Sequence, residues 1–212
     1  MRGASLRRLL LVLCVLVSAS MAGIGATADE FENLAQNGDF EDGTVGWDLR
    51  QDEGAAATME EDDEEAIKGD LCVFVDIDSV AGTSAWHLAL FQDGHTIENG
   101  EEYTFAIWLK AEEARPVTLY VEKQADPWDG YGRKDFTLTQ EWQECWINFT
   151  APVTFAVWLR VALGLSDVSI WADNARFFIG GYVEDEEEDV PQIAVDPAGK
   201  SAVTWAEIKS SH

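Results

Sequence analysis

The chain has 212 residues and sets 40 acidic side chains against 14 Lys and Arg, a formal charge of −26 with a pI near 4.1. At roughly 150 residues per domain this is one domain with tails, and a surface that acidic repels nucleic acid and anionic membranes. Apolar residues make up 47% and there are nine Trp, enough for a sizeable core and against wholesale disorder. With three His, three Cys and no Cys-x-x-Cys or His-Glu-x-x-His, the usual zinc ligand sets are missing.

Arg2, Arg7 and Arg8 precede an apolar run from Leu9 to Val17 that is too short to span a bilayer, followed by small residues. The pattern predicts a signal peptide over 1–28, cut after Ala26-Thr27-Ala28, and hence a secreted protein, extracellular or periplasmic. Cys14 lacks the small residue that a lipoprotein signal places before its Cys. Losing three Arg leaves 11 basic residues against 40 acidic ones, a formal charge of −29. The mature chain keeps Cys72 and Cys145, and an oxidising compartment permits a disulfide if their Cα atoms come within about 7 Å.

From there the chain alternates apolar and polar residues in short segments parted by Gly, Asp, Asn and Pro, with no long helical periodicity. In chain order the expected strands are Leu34–Phe40, Ala55–Met59, Asp70–Ile77, Ala85–Gln92, Glu102–Lys110, Pro116–Lys123, Lys134–Leu138, Trp142–Thr150, Phe155–Leu163 and Val168–Ile179. Ten such strands predict an all-β sandwich of two antiparallel sheets. Tyr103, Phe105, Ile107 and Leu109 share one face of their strand and Val117, Leu119 and Val121 one face of the next. The opposite faces carry Trp108, then Thr118, Tyr120 and Glu122, then Trp158 and Arg160. The acidic run Glu60–Glu65 reads as a solvated loop, and Glu184–Asp189 opens a flexible acidic tail over 184–212. The folded domain is thus expected over 29–183.

The residues resemble a family. Asn33-Leu34, Asn37-Gly38-Asp39-Phe40-Glu41, Gly46-Trp47, Gly69-Asp70-Leu71-Cys72-Val73 and Trp86-His87-Leu88-Ala89-Leu90-Phe91-Gln92 open a series that is similar to the carbohydrate-binding modules of families 4 and 9. Gly100, Tyr103-Thr104-Phe105, Trp108-Leu109-Lys110-Ala111, Trp128, Tyr131-Gly132, Glu141-Trp142-Gln143, Phe149-Thr150-Ala151, Ala172-Asp173-Asn174 and Phe177 continue it in the family's order, over about Asn33 to Phe178. The resemblance implies a jelly roll of the galactose-binding-like group that binds a polysaccharide without catalysis, with a separate glycoside hydrolase as a possible partner. It places ligand contacts at Trp86, Trp128 and Tyr131. It also implies a structural calcium held by Glu41 and Asp173, with backbone oxygens near Asp39 and Lys68. Some members bridge the Cys of the Gly69–Val73 segment to a late Cys, whose position here is near Trp171 and holds none.

Sugar recognition has its own physical logic. A pyranose offers a face of C–H groups and a rim of hydroxyls, so it needs a flat aromatic and polar neighbours. Trp86, Trp108, Trp128, Tyr131 and Trp158 are the candidate platforms, with Gln92, Arg50, Arg160 and Glu122 as rim partners. Against this, Trp47, Phe105, Trp142 and Phe149 lie in phase with inward residues and read as core; Trp171 reads as packing; Trp146 stays open. His87 reads as a structural histidine or, failing that, a sugar ligand. The net charge favours a neutral β-linked glucan or xylan over pectate or alginate unless calcium bridges the acid. A secreted protein-interaction or structural sandwich is the alternative, and a small hydrolase or lyase the next. A groove open at both ends marks the first reading, a flat apolar patch the second, and two carboxylates or a Tyr/His pair converging in the groove the third.

Overall fold

The computed structural model describes residues 31–185; residues 1–30 and 186–212, with the expected signal peptide and nearly all of the expected tail including Trp205, lie outside the described residues. Ten strands form: β1 (Asp48–Gln51), β2 (Ala56–Asp62), β3 (Cys72–Ser79), β4 (Leu88–Ile97), β5 (Glu102–Ala111), β6 (Arg115–Lys123), β7 (Gly130–Leu138), β8 (Gln143–Thr150), β9 (Phe155–Ala162) and β10 (Ile170–Ile179). They build two five-stranded antiparallel sheets, β1-β4-β9-β6-β7 and β2-β3-β10-β5-β8, packed as a jelly-roll sandwich with no α-helix among the described residues.

The alternation read from sequence sets the core. Tyr103, Phe105, Ile107 and Leu109 of β5 face Val117, Leu119 and Val121 of β6 and Val157, Leu159 and Val161 of β9, and all are buried. Each such side chain contributes about 1.5–3 kcal/mol by leaving water.

The first expected strand does not form. In Leu34–Phe40 the backbone turns left-handed at Asn37 (φ 44°) and Phe40 (φ 54°), two breaks in the extended conformation within seven residues. The Asn37 amide donates to the carbonyls of Gly43 and Val45 and accepts from the Asp42 N–H, tying the turn that lets Phe40 pack on Trp47 at 5.2 Å. The edge strand is instead β1, paired to β4. Part of the acidic run departs from the loop expectation too, since Glu60, Glu61 and Asp62 extend β2 against Phe74, Val73 and Cys72. An edge strand with one face in water accommodates such charge.

Cys72 on β3 and Cys145 on β8 are both buried and free, because β10 and β5 lie between their strands. Burial pushes both thiols up to about 12. The packed chain also continues past Val183. Tyr182 stacks on Trp146 at 4.1 Å and donates to Glu144 Oε2, and Asp185 accepts from Trp108 Nε1 at 3.2 Å and lies 3.3 Å from Lys68 Nζ. This strap covers the outer face of β5, so Trp108, expected to face solvent, is only 7% exposed.

Candidate functional site

The outer face of the β1-β4-β9-β6-β7 sheet carries the site. Register puts Phe91, Arg160 and Tyr120 in one row across β4, β9 and β6, with Trp158 opposite Glu122 on one side of it and Ala162 opposite Thr118 on the other. Of these, Tyr120, Glu122 and Arg160 lie in the floor of a cleft of about 530 Å³ lined by Arg50, Trp86, Tyr120, Glu122, Trp128, Gly130, Arg133 and Arg160, within the usual range for ligand pockets.

Two tryptophans rise from loops on opposite sides of that row. Trp86 sits on a 3₁₀ turn, Ala85–His87, that ends as β4 begins. Its neighbour Ala85 packs with Ala162 and Tyr120, and the Arg50 guanidinium lies 5.3 Å from the Trp86 ring. Trp128 comes from the β6–β7 turn at the Trp158 end, stacked on Trp158 at 5.8 Å with 7° between the planes. Its backbone is left-handed (φ 60°), a conformation that costs a bulky residue on the order of 1–3 kcal/mol and persists only where surroundings enforce it. Here the Trp158 stack and the Trp128 N–H donating to the Ala125 carbonyl at 2.8 Å hold it. Among the described residues, Trp86 and Trp128 are the only exposed aromatics, at 43% and 51%.

Arg160 is the buried centre of the floor. Only 2% exposed, its guanidinium lies 4.7 Å from the Trp158 ring and 5.6 Å from Phe91. Its Nε is 2.8 Å from Glu122 Oε2, an ion pair without the alignment of a hydrogen bond. Burial raises the Glu122 carboxyl above its ordinary range, against the pull of Arg160 and Arg50. Glu122 is the one carboxylate lining the cleft among the described residues, so no pair of acids converges there. Burial likewise raises the Tyr120 hydroxyl, and its ring lies beneath Arg133 at 5.5 Å.

Of the eight candidate ligand residues, the structure brings Arg50, Trp86, Trp128, Trp158 and Arg160 together, with Glu122 from the rim set. It sets three apart. Gln92 points inward and is 1% exposed; its amide exchanges hydrogen bonds with the Gln36 backbone at 2.8 and 2.7 Å and with His95 at 2.9 Å. Tyr131 turns toward the sandwich edge and stacks on Phe149 at 6.0 Å, because the β6–β7 register shifts between Leu119 and Val121. Trp108 belongs to the other sheet. Tyr120, Gly130 and Arg133 complete the cleft without having been singled out as ligand residues. Tyr120 was legible as outward-facing; Arg133 was not, since the expected strand began only at Lys134.

The residues implied for calcium gather at one end of the molecule. Glu41 Oε1 accepts the N–H groups of Asp70 and Leu71 at 2.7 and 3.0 Å, so close to Gly69 that a Cβ there would lie 2.1 Å from it. Asp173, fully buried, accepts the N–H groups of Ile67 and Lys68 on one oxygen and that of Asn174 on the other. Desolvation, with Glu41's charge adding to it, raises its carboxyl to about 6. A buried anion beside a second carboxylate suits a hard cation with oxygen donors. Among the described residues no three acidic, His or Cys side chains converge, so two carboxylates are what the side chains offer, and backbone oxygens would make up the rest.

An aromatic-walled cleft across one sheet of a jelly roll is the architecture of a carbohydrate-binding module. The carbohydrate binding domain family (CBM_4_9) matches residues 32–172, and the chain belongs to it. None of the curated proteins matches the chain. Among solved structures, a CBM4 module superposes with a TM-score of 0.59 at 22% identity, covering 69% of this chain and 99% of its own. The N-terminal cellulose-binding domain of Cellulomonas fimi β-1,4-glucanase C gives 0.52 at 19%, covering 70% and 98%. A xylan-binding domain from CBM 22 gives 0.51 at 16%, covering 68% and 94%. At such identities the likeness is one of fold.

Proposed function

We propose that the protein is a secreted, non-catalytic module that binds a β-linked polysaccharide with a glucan- or xylan-type, neutral backbone along the β1-β4-β9-β6-β7 face. The carrying observation is the pair of exposed tryptophans, Trp86 and Trp128, standing at the two ends of a cleft whose floor holds Tyr120, Glu122 and Arg160, with Trp158 stacked on Trp128. Sugar rings stack on the indoles, and Arg50, Glu122 and Arg160 meet the hydroxyls. Each ring lost on truncation weakens binding by on the order of 1–3 kcal/mol. Calcium held by Glu41, Asp173 and the backbone of Asp39 and Lys68 would brace the Gly38–Glu41 turn against β10 and leave the cleft untouched. A glycoside hydrolase as separate partner, anchored near its substrate by this module, remains part of the same reading.

The test is titration of soluble β-glucan and xylan oligosaccharides into the wild-type domain and into Trp86→Ala and Trp128→Ala. Binding weakened by both substitutions supports the cleft; binding unchanged in both moves the site elsewhere. No binding to any glycan favours the protein-interaction reading.

A further inference from the structure

The described residues contain five arginines, Arg50, Arg115, Arg133, Arg160 and Arg176, and three of them line the one cleft that bears the exposed tryptophans. In a chain of charge −26 that concentration runs against composition. The other two have structural partners: Arg115 donates to the carbonyls of Val168 and Leu163, and Arg176 pairs with Glu144.

The three cleft arginines differ in what answers them. Arg160, in the central strand, faces Glu122. Arg50, on the edge strand β1, pairs with Asp52. Arg133, on the opposite edge strand β7, is exposed and has no ion-pair partner among the described residues; its guanidinium lies over the Tyr120 ring with the hydrogen-bonding fork free. The lining is also lopsided in kind. Arginine and indole N–H groups only donate, and the side-chain acceptors are the Glu122 carboxylate and the Tyr120 hydroxyl. A hydroxyl donates and accepts, so a neutral sugar leaves such a wall with surplus donors. A carboxylate only accepts, and its planar pair of oxygens matches the guanidinium fork.

We infer that the cleft prefers a glycan whose β-linked backbone carries a carboxylate substituent, a uronic acid branch, seated beside Trp128 with its carboxylate on Arg133. This inference rests on the proposed glycan-binding function and adds the charge of the ligand. The net charge does not oppose it at physiological salt, where fields from distant acids are screened beyond about 8 Å while Arg133 acts in contact.

The experiment compares two ligands of one backbone by calorimetry: a xylo-oligosaccharide bearing a single glucuronosyl branch, and the same compound with its carboxyl reduced to an alcohol. The expected result is roughly tenfold tighter binding of the acid, a preference that shrinks in 0.5 M salt and falls below about twofold in Arg133→Gln, whose fold is checked by its melting temperature. Equal or weaker binding of the acid, with both ligands still weakened by Trp128→Ala, overturns the inference and leaves the cleft as a neutral-glycan site. Failure of both ligands, and of linear glucan and xylan, overturns the inference together with the function it rests on.

Discussion

Each sheet turns tryptophans outward, and the two outer faces use them in opposite ways. On the β2-β3-β10-β5-β8 face every outward indole is engaged, Trp146 by the stacked Tyr182 ring and the other three through their N–H groups. Trp108 donates to Asp185, Trp142 to the Glu65 carbonyl at 3.1 Å and Trp171 to Asp62 at 2.8 Å. Lys110 lies 4.6 Å from the Trp171 ring and 5.5 Å from Trp142, while Phe74 packs on Trp171 at 4.7 Å. On the β1-β4-β9-β6-β7 face Trp86 and Trp128 keep their rings exposed and make no hydrogen bond through their indole N–H among the described residues. An outward aromatic is therefore not by itself a binding platform; what separates the two faces is whether the fold has already covered the ring.

That contrast can be tested by damage to each face. Trp108→Ala should have the largest effect, about 3–5 kcal/mol of stability by denaturant titration, with the affinity of the folded fraction for glycan unchanged. A loss of affinity instead would place a ligand on the strap side. Chelation should come next. If calcium binds only the native state, saturation at 100 times its dissociation constant contributes about 2.7 kcal/mol, and at roughly 2–4 °C per kcal/mol a chelator should lower the melting temperature by several degrees; an unmoved melting curve removes the ion from the Glu41–Asp173 end. Trp128→Ala should weaken glycan binding by about 1–3 kcal/mol while changing stability by less than about 1 kcal/mol, the reverse of Trp108→Ala.

The smallest effect lies beneath the cleft, where burial lowers the His95 pKa against the pull of Asp93. A histidine held neutral in the native state costs no stability above its unfolded pKa of about 6.5, and stability falls as pH drops below that value because only the unfolded chain gains the proton. Part of the loss between pH 7 and 5 should disappear in His95→Gln; identical pH profiles would mean that His95 does not titrate differently in the two states.

The alternation of β5, β6 and β9 was legible because period two and a buried face leave little choice of phase, and it is this phase that sends Trp158, Arg160 and Glu122 outward. Trp86 and Trp128 were legible only through resemblance, since both stand on turns where no periodicity operates. Gln92 and Tyr131 lie at or near register shifts, Gln92/His95 and Leu119/Val121, and a one-residue shift moves a side chain to the other face. Trp108 was misplaced for a different reason: alternation gives the face of a strand but not the sheet it joins, and β5 pairs with β10 and β8. The Leu34–Phe40 segment alternates like a strand yet folds as a turn around Asn37, whose side chain competes for the backbone. The net charge suggested a neutral ligand, whereas the cleft gathers Arg50, Arg133 and Arg160, a clustering that only the fold creates.

The most direct test is a ¹⁵N-resolved titration of the indole N–H signals, assigned by single Trp→Phe substitutions, with a xylo- or gluco-oligosaccharide. The signals of Trp86, Trp128 and Trp158 should move while those of Trp108, Trp142 and Trp171 stay in place. Shifts confined to Trp108, Trp142 and Trp171, or none at all at saturating oligosaccharide, would contradict this.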